Sequence, residues 1–450
     1  MPAKPKSQFV CSNCGHISPR WQGRCPQCGE WNTFSEQAAP SARAAAGGRP
    51  GRAQKLSEVE EGRVDRLSSG IGELDQVLGG GVVPGSLVLL GGDPGIGKST
   101  LALQVAMNLT EAGKNVLYVS GEESPQQIKM RSARLPNAGD LSVMAETDLE
   151  TVVATLAAAQ PDAAILDSIQ TLNSASVNGV VGGVSQLSYA TSALMRLAKE
   201  YHVALLLIGH VTKEGMLAGP KTIEHMVDTV LYLEGDRFNT LRLLRTSKNR
   251  FGAVGEVGVF EMKEQGLVEV PNPSAMFLEH RDKPLAGSST AAILEGNKVL
   301  LLEIQGLTST SNFGYPRRTT SGFDANRLQL IIAILQRTLK LNLANQDVYV
   351  NVAGGFKVEE RAADLPAALA IISSYNGTPL PADTAAFGEI GLLGEIRSVS
   401  QLEKRLRECE KLGFKQVIVG GRGGVDAKKY GKLKITQVNS IQDLVKLFKA

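Results

Sequence analysis

The segment from residue 92 to residue 99 has the residue types and the spacing that hold a polyphosphate. It fits the pattern G-x-x-x-x-G-K-[ST] throughout and reads Gly92-Asp93-Pro94-Gly95-Ile96-Gly97-Lys98-Ser99. Glycines allow backbone amides to face the phosphates, and a helix that begins here directs the positive end of its dipole toward them. Lys98 neutralises phosphate charge, Ser99 offers a hydroxyl to Mg²⁺, and Thr100 completes the predicted binding segment. The pattern predicts a site for a nucleoside triphosphate with magnesium.

Acidic and imidazole side chains follow apolar segments farther along the chain and could complete this site. The apolar run at 163–166 ends in Asp167, which we predict to help hold the magnesium. Glu122 and Glu123 follow the run at 115–119, and we expect one of them, Glu122 in preference, to orient the attacking water. An exposed acidic turn is the alternative. His210 follows the run at 203–209 and is predicted to contact the γ-phosphate or the water, unless it is an ordinary residue at the end of a strand.

Four of the five cysteines form two C-x-x-C-G pairs near the amino terminus, a spacing typical of a zinc site. They are Cys11, Cys14, Cys25 and Cys28. Four thiolates around Zn²⁺ make a closed structural site, which would supply most of the folding free energy of so small a unit. A redox role is the alternative. We expect Trp21 and Trp31 to pack over the two pairs. The partner of this module stays open among DNA, a recombinase and a neighbouring subunit.

The elements that position these residues are predicted from apolar runs alternating with amphipathic helices, a pattern typical of parallel strands covered on both faces. The fold class is therefore α/β, and the last two runs of the core, at 229–235 and 240–246, are expected to be antiparallel strands. We predict a zinc module at 1–35, a flexible linker at 36–56, a P-loop ATPase domain at 57–270 and a second α/β or α+β domain at 271–450.

Composition excludes some classes of protein. Apolar residues make up 43% of the chain and charged residues 21%, which is typical of globular domains. No apolar run is long enough to span a membrane and the amino terminus lacks a secretory segment, so we expect a cytoplasmic protein without a membrane partner. The net charge of +3 neither requires nor excludes nucleic acid.

The motifs resemble those of a known family. The layout of the core resembles the RecA-like fold, and the sequence TSKNRFG at 246–252 is similar to the signature of the RadA/Sms family of bacterial DNA repair proteins. This resemblance extends to the four-cysteine module and to nearly the whole chain. It implies a hexameric ATPase, stimulated by DNA, that acts beside a RecA-type recombinase, processes single-stranded and branched DNA and drives branch migration. Lys248 and Arg250 would then act across the subunit interface.

The same resemblance implies that two loops face the central channel of the ring and single-stranded DNA. They are the segments 173–184 and 213–222, of which the second contains Lys213 and Lys221. Both lack the aromatic side chains on which many proteins stack single-stranded bases, so contact is expected through backbone amides and these two lysines.

The carboxyl-terminal region resembles the Lon protease domain, most clearly at 387–396. In the alignment that we prefer, the serine and lysine of the Lon dyad are replaced by Ala367 and Arg405. Alanine has no nucleophile, and arginine stays protonated and cannot act as a base. A shifted alignment would use Ser373 and Lys404 instead. We therefore expect an inactive scaffold domain that holds the ring together. An ATP-dependent protease and a RecA-like regulatory ATPase without translocation are the alternative functions.

Overall fold

The computed structural model describes residues 7–38, 55, 65–136, 140–210, 223–235, 240–278, 283–311, 315–421, 427–431 and 433–448. The chain forms two compact units, residues 1–270 and 271–450. Most of the predicted linker, 36–56, lies outside the described residues, as does the loop with Lys213 and Lys221.

The amino-terminal module is a small antiparallel sheet in the order β2-β1-β3. Its strands are β1 (Ser7–Cys11), β2 (Ile17–Ser18) and β3 (Phe34–Ala38). Cys11, Cys25 and Phe34 form its buried centre. The expectation that the tryptophans cover the cysteine pairs is wrong, because Trp21 and Trp31 are 53% and 67% exposed. Phe34 is the aromatic residue that packs against the cysteines instead.

The ATPase core is a nine-stranded sheet in the order β12-β11-β10-β9-β4-β8-β7-β5-β6. Its strands are β4 (Leu87–Gly92), β5 (Val116–Ser120), β6 (Ser142–Ala145), β7 (Ala163–Asp167), β8 (Ala204–Ile208), β9 (Thr229–Glu234), β10 (Leu241–Asn249), β11 (Val257–Lys263) and β12 (Gly266–Glu269). Its helices are α1 (Gly72–Leu78), α2 (Lys98–Glu111), α3 (Pro125–Ser132), α4 (Leu149–Ala159) and α5 (Val184–Tyr201). Every residue of β4 and β7 is buried, because helices cover both faces of the sheet.

The prediction about the last two runs is confirmed in part, since β9 and β10 pair antiparallel to each other, but the position of β9 in the sheet is corrected. β9 runs parallel to β4, so the segment at 229–235 continues the parallel sheet and is not an antiparallel edge strand. The antiparallel part begins one strand later, where β10 pairs with β9 and β11 pairs with β10. The short connection from β9 to β10 correctly indicated that these two strands pair antiparallel. It could not show that the other edge of β9 pairs in parallel with β4.

The carboxyl-terminal unit contains a mixed seven-stranded sheet in the order β15-β16-β14-β13-β17-β20-β21. Its strands are β13 (Ser288–Glu295), β14 (Lys298–Thr310), β15 (Arg318–Ser321), β16 (Gln346–Val352), β17 (Thr384–Phe387), β20 (Gln416–Gly420) and β21 (Lys434–Val438), and a separate pair is β18 (Glu389–Ile390) and β19 (Ile396–Arg397). The helices are α6 (Ser274–Phe277), α7 (Ala325–Leu339), α8 (Asp364–Asn376), α9 (Leu402–Lys411) and α10 (Ile441–Leu444). Among the described residues, no helix is long and apolar enough to cross a membrane.

Candidate functional site

The phosphate-binding loop joins the end of β4 to the start of α2. Two of its glycines are required by the backbone. Gly92 has φ +151° and a Cβ there would lie 2.4 Å from the Leu233 carbonyl oxygen, while Gly97, at the amino end of α2, has φ +118°. The amide groups of the first helical turn, which have no partner within the helix, therefore border the loop. This geometry suits an anion at the start of α2.

Lys98 is buried and its amino group turns back onto the loop. Its Nζ donates to the carbonyl oxygens of Gly92 and Asp93, each at 2.9 Å. Burial lowers the pKa of Lys98, whereas the nearby charges of Asp167 and Glu122 act in the opposite direction. An anion in the loop would offer Lys98 stronger acceptors than two neutral carbonyls.

Asp167 ends β7 close to the phosphate-binding loop, and a chain of hydrogen bonds through residues of α3 and β5 positions its carboxylate. The Tyr118 hydroxyl donates to Asp167 Oδ2 at 2.7 Å, and Arg131 Nη2 donates to the same hydroxyl at 3.1 Å. Asp167 Oδ1 is buried and has no hydrogen-bond partner within the described part of the chain. An unpartnered carboxylate oxygen beside a polyphosphate loop fits a magnesium site, with Ser99 on the first turn of α2 as the other predicted ligand.

The two glutamates after β5 have different partners, and this difference separates their roles. Glu122 Oε1 accepts from Ser168 Oγ at 2.6 Å and lies 3.2 Å from His210 Nε2. The hydrogen bond from His210 lowers the pKa of Glu122 to about 2; burial opposes that shift, and the Ser168 hydrogen bond adds to it. Glu123 instead forms a 2.8 Å ion pair with Arg131. Glu122 is therefore the carboxylate that remains directed toward the nucleotide side.

His210 connects this carboxylate to the segments that follow two strands. The Gln170 side chain, just after β7, donates to the His210 carbonyl oxygen at 3.2 Å. His210 also precedes the predicted channel loop at 213–222. The base candidate, the end of β8 and the segment after β7 are thus joined by hydrogen bonds.

Several residues of the site were missed by sequence reasoning. Tyr118 and Ser168 are two, and Arg131 on α3 is a third. Arg242 on β10 is buried and its Nε donates to the Ile96 carbonyl oxygen of the loop at 3.1 Å. The signal for Arg242 in the sequence was its position between two leucines, Leu241 and Leu243.

The segment 173–184 leads from β7 to α5 and is anchored at its base. The Gln186 side chain accepts from the Ser174 amide at 2.9 Å and donates to the Ser174 carbonyl at 3.0 Å. At the far end, Val180 and Val181 are exposed between glycines. The segment therefore combines a fixed base with an exposed apolar tip.

Lys248 and Arg250 lie at the end of β10, and both contact their own chain. Lys248 Nζ donates to three carbonyl oxygens of the turn before β9, those of Glu224, His225 and Val227, at 2.8–3.0 Å. Arg250 forms a 3.0 Å ion pair with the buried Asp228, whose other oxygen accepts from the Leu87 amide at 3.1 Å. The Arg250 side chain is still 51% exposed. This geometry ties the end of β10 to the start of β4.

The four cysteine sulfurs lie together and fit a zinc ion. All four lie within 4.8 Å of one another. Tetrahedral Zn–S bonds of about 2.3 Å require sulfurs about 3.8 Å apart, and here Cys11 and Cys28 are separated by 3.7 Å and Cys14 and Cys25 by 3.5 Å. The Thr33 hydroxyl lies 3.1 Å from Cys11 Sγ, where it could donate to a thiolate.

The carboxyl-terminal unit has no Ser–Lys dyad at the predicted positions. Ala367 is buried in α8, and the fully buried Arg405 is paired with Glu360. The alternative pair is also engaged elsewhere. Ser373 Oγ donates to the Thr378 carbonyl at 2.6 Å, and Lys404 donates to the Asn297 carbonyl. Arg405 is therefore a structural cation at the place where the Lon resemblance puts a base.

The sheet, the phosphate loop between β4 and α2, and the acidic residues that end β5 and β7 define a RecA-like P-loop ATPase with an amino-terminal zinc ribbon. Family models match residues 53–216 as an AAA domain, 9–36 as a rubredoxin metal binding domain and 305–422 as subunit ChlI of Mg-chelatase. DNA repair protein RadA of Listeria monocytogenes is 46% identical over 99% of this chain and 98% of its own length. The chain belongs to the RadA family of DNA repair proteins.

A second relative agrees with that membership. DNA repair protein RadA of Bacillus subtilis is 48% identical over 93% of each chain. Among solved structures, a KaiC-like protein from Pyrococcus horikoshii aligns with 46% of this chain and all of its own at 22% identity and a TM-score of 0.39. The family resemblance and the fold class are confirmed. The ATPase domain implies ATP and Mg²⁺, and the cysteine ribbon implies Zn²⁺.

Proposed function

We propose that this protein is a DNA-dependent ATPase and motor that processes intermediates of homologous recombination. In this proposal it forms a hexameric ring in the cytoplasm, acts on single-stranded and branched DNA beside a RecA-type recombinase, and promotes branch migration. The observation that carries the proposal is the hydrogen-bonded path from Glu122 through His210 to Gln170. It links the nucleotide site to the segment after β7, and in the sequence His210 stands three residues before the other segment that the family resemblance assigns to DNA.

The residues of the phosphate-binding loop and the acidic residues beside it have different roles in ATP hydrolysis. ATP with Mg²⁺ supplies the phosphoric anhydride whose cleavage releases the energy. Lys98 neutralises phosphate charge, while Ser99 and the free oxygen of Asp167 would hold the metal. Glu122, kept ionised by its low pKa, orients the attacking water. The remaining residues of the predicted loop, from Gly92 to Thr100, cradle the phosphates.

Hydrolysis would be transmitted through His210. Loss of the γ-phosphate changes what Glu122 and its water contact, and His210, three residues before the 213–222 segment in the sequence, lies 3.2 Å from Glu122. Gln170 passes the same movement to the segment after β7. We propose that Val180 and Val181, exposed at the tip of that segment, contact the strand of DNA together with backbone amides and with Lys213 and Lys221.

Lys248 and Arg250 are proposed to act together across the subunit interface, Arg250 by contact with the neighbouring subunit and Lys248 by holding Arg250 in position. Arg250 is half exposed, and within the described part of the chain its guanidinium has donors left over after the ion pair with Asp228. It could therefore reach a γ-phosphate in an adjacent protomer as an arginine finger does. Lys248 has its donors directed to three carbonyls, so in this arrangement it fixes the segment that carries Arg250.

The carboxyl-terminal unit is proposed to be a scaffold for the ring. The Lon-like region has a buried alanine and a buried, ion-paired arginine at the dyad positions, and these residues cannot cleave peptides. From the cysteine spacing, the composition and the order of the elements we propose the domain bounds 1–35, 36–56, 57–270 and 271–450, with the second as the linker, whose first three residues complete β3.

The test is ATP turnover measured with and without single-stranded DNA, together with unwinding of a branched substrate. We expect DNA to raise the turnover rate and Lys98→Ala to abolish it. Arg250→Ala is expected to bind nucleotide normally but to lose hydrolysis and unwinding. A turnover rate that DNA leaves unchanged would favour the regulatory ATPase, and degradation of casein would favour the protease.

A further inference from the structure

The two tryptophans of the chain lie side by side on the surface of the zinc module. They are the only two in the sequence. A Cβ placed on Gly23 would lie 3.7 Å from the Trp21 ring and 3.8 Å from the Trp31 ring, so both indoles flank the same glycine. Neither contributes to the buried centre of the module. Large exposed aromatic pairs of this kind normally mark an interaction surface.

A cation is held beside these rings. The Arg24 guanidinium carbon lies 5.8 Å from the centre of the Trp31 ring, and Arg24 Nε donates to the Gly29 carbonyl at 2.8 Å. This hydrogen bond uses a carbonyl of the second cysteine knuckle, so the backbone of that knuckle positions the arginine. Arg20, next to Trp21 in the sequence, is exposed as well. The surface of Trp21, Trp31, Arg20 and Arg24 is called here the tryptophan platform.

The charge of the amino-terminal region complements an anion. Residues 1–55 contain eight Lys and Arg but two Glu, a formal charge of +6, whereas the whole chain carries +3. Four thiolates with one Zn²⁺ would reduce the local value to about +4. The rest of the chain is thus acidic on balance, and the positive charge is concentrated in the part of the sequence that contains the platform.

We propose that the tryptophan platform binds single-stranded nucleic acid by stacking bases on Trp21 and Trp31. Flat indole rings accept any base, and flanking arginines neutralise the phosphates and add cation–π contact. The platform uses other residues than the predicted channel loops, whose sequences contain no aromatic residue. It would hold a strand outside the ring and present it to the motor, so this inference rests on the proposed DNA-dependent function.

The experiment uses tryptophan fluorescence of the full-length, zinc-loaded protein, which reports on the platform alone. Oligothymidylate is titrated without nucleotide, with excitation at a wavelength that tyrosine does not absorb. Stacking should quench the emission. Trp21→Ala with Trp31→Ala should weaken oligonucleotide binding, measured by anisotropy of a labelled strand, by about five-fold or more per stacked base. Trp→Phe at both positions should restore much of the affinity.

Salt distinguishes stacking from charge. Added salt lowers the affinity of both proteins through counterion release, but the ratio between wild type and the double alanine variant should persist. The matched control is Met130→Ala, which removes an exposed apolar side chain from α3. Zinc content of each variant shows that the module is intact.

Three outcomes would overturn the inference. If DNA stimulates ATP turnover but neither quenches the emission nor distinguishes the variants, the platform does not bind DNA while the proposed function stands. If the emission responds to protein concentration and not to DNA, the platform is an interface between copies. If DNA neither binds nor stimulates turnover, the inference and the proposed function fail together.

Discussion

Tyr118→Phe tests how the magnesium carboxylate is positioned. The substitution removes one oxygen from a fully buried side chain, and that oxygen donates to Asp167 Oδ2 at 2.7 Å. The carboxylate is then free to rotate, and Arg131, at 3.9 Å from the same oxygen, is a cation that could replace the lost donor. Outer-shell partners of metal ligands are worth about 10- to 100-fold in affinity or activity. Since Arg131 can compensate in part, we expect about ten-fold.

The assay is ATP turnover as a function of free Mg²⁺ at saturating ATP. We expect Tyr118→Phe to need about ten times more Mg²⁺ for half-maximal rate, with a smaller change in the rate at saturating metal. Tyr201→Phe on α5 removes a tyrosine hydroxyl from the same domain and should behave as wild type. A Tyr118→Phe protein with unaltered Mg²⁺ dependence would refute the positioning of Asp167 by this hydroxyl.

Four further predictions follow from the site. Glu122→Gln should retain ATP binding but lower ATP turnover by about 10²- to 10⁴-fold. Glu123→Gln, which breaks the ion pair with Arg131, should lower turnover less. Equal losses of turnover in the two variants would contradict the choice of Glu122 as the base. His210→Ala removes the hydrogen bond that contributes most to lowering the pKa of Glu122 to about 2. Because the Glu122 carboxylate must be ionised to act, the acid limb of the pH–rate profile should move to higher pH. An acid limb that does not move argues against the contact between His210 and Glu122. Cys28→Ser should release zinc, measured with a metal-binding dye, and make residues 9–36 sensitive to protease, while the thermal unfolding of the ATPase core stays unchanged. Arg250→Ala mixed with Lys98→Ala subunits should regain some turnover if Arg250 acts in trans, and no recovery in any ratio would place its action within one chain.

The fold class could be predicted because its signals are local. Each apolar run of the core lies between turn residues, and the P-loop fixes which strand precedes which helix. The direction of β9 could not be predicted, since pairing with β4 depends on a strand more than a hundred residues earlier. The zinc module shows the same limit. Cysteine spacing identified the ligands, but the choice of Phe34 over two tryptophans as the buried aromatic depends on tertiary packing.

The site divides in the same way. Gly92, Lys98 and Asp167 occupy positions that a contiguous motif or a strand end identifies. The residues that orient them come from elsewhere. Tyr118 and Arg131 act through a contact between β5 and α3, and Arg242 reaches the loop from the antiparallel part of the sheet. No spacing rule connects them, because their proximity exists only after the sheet has formed.

The central claim is that ATP hydrolysis moves a strand of DNA through a ring of these chains. Electron microscopy of the protein with a non-hydrolysable ATP analogue and single-stranded DNA tests it most directly. We predict a closed ring with the strand in its channel against residues 173–184 and with Arg250 directed at the neighbouring nucleotide. Single, unassembled subunits under the same conditions, or a ring with an empty channel and DNA bound elsewhere, would contradict the account.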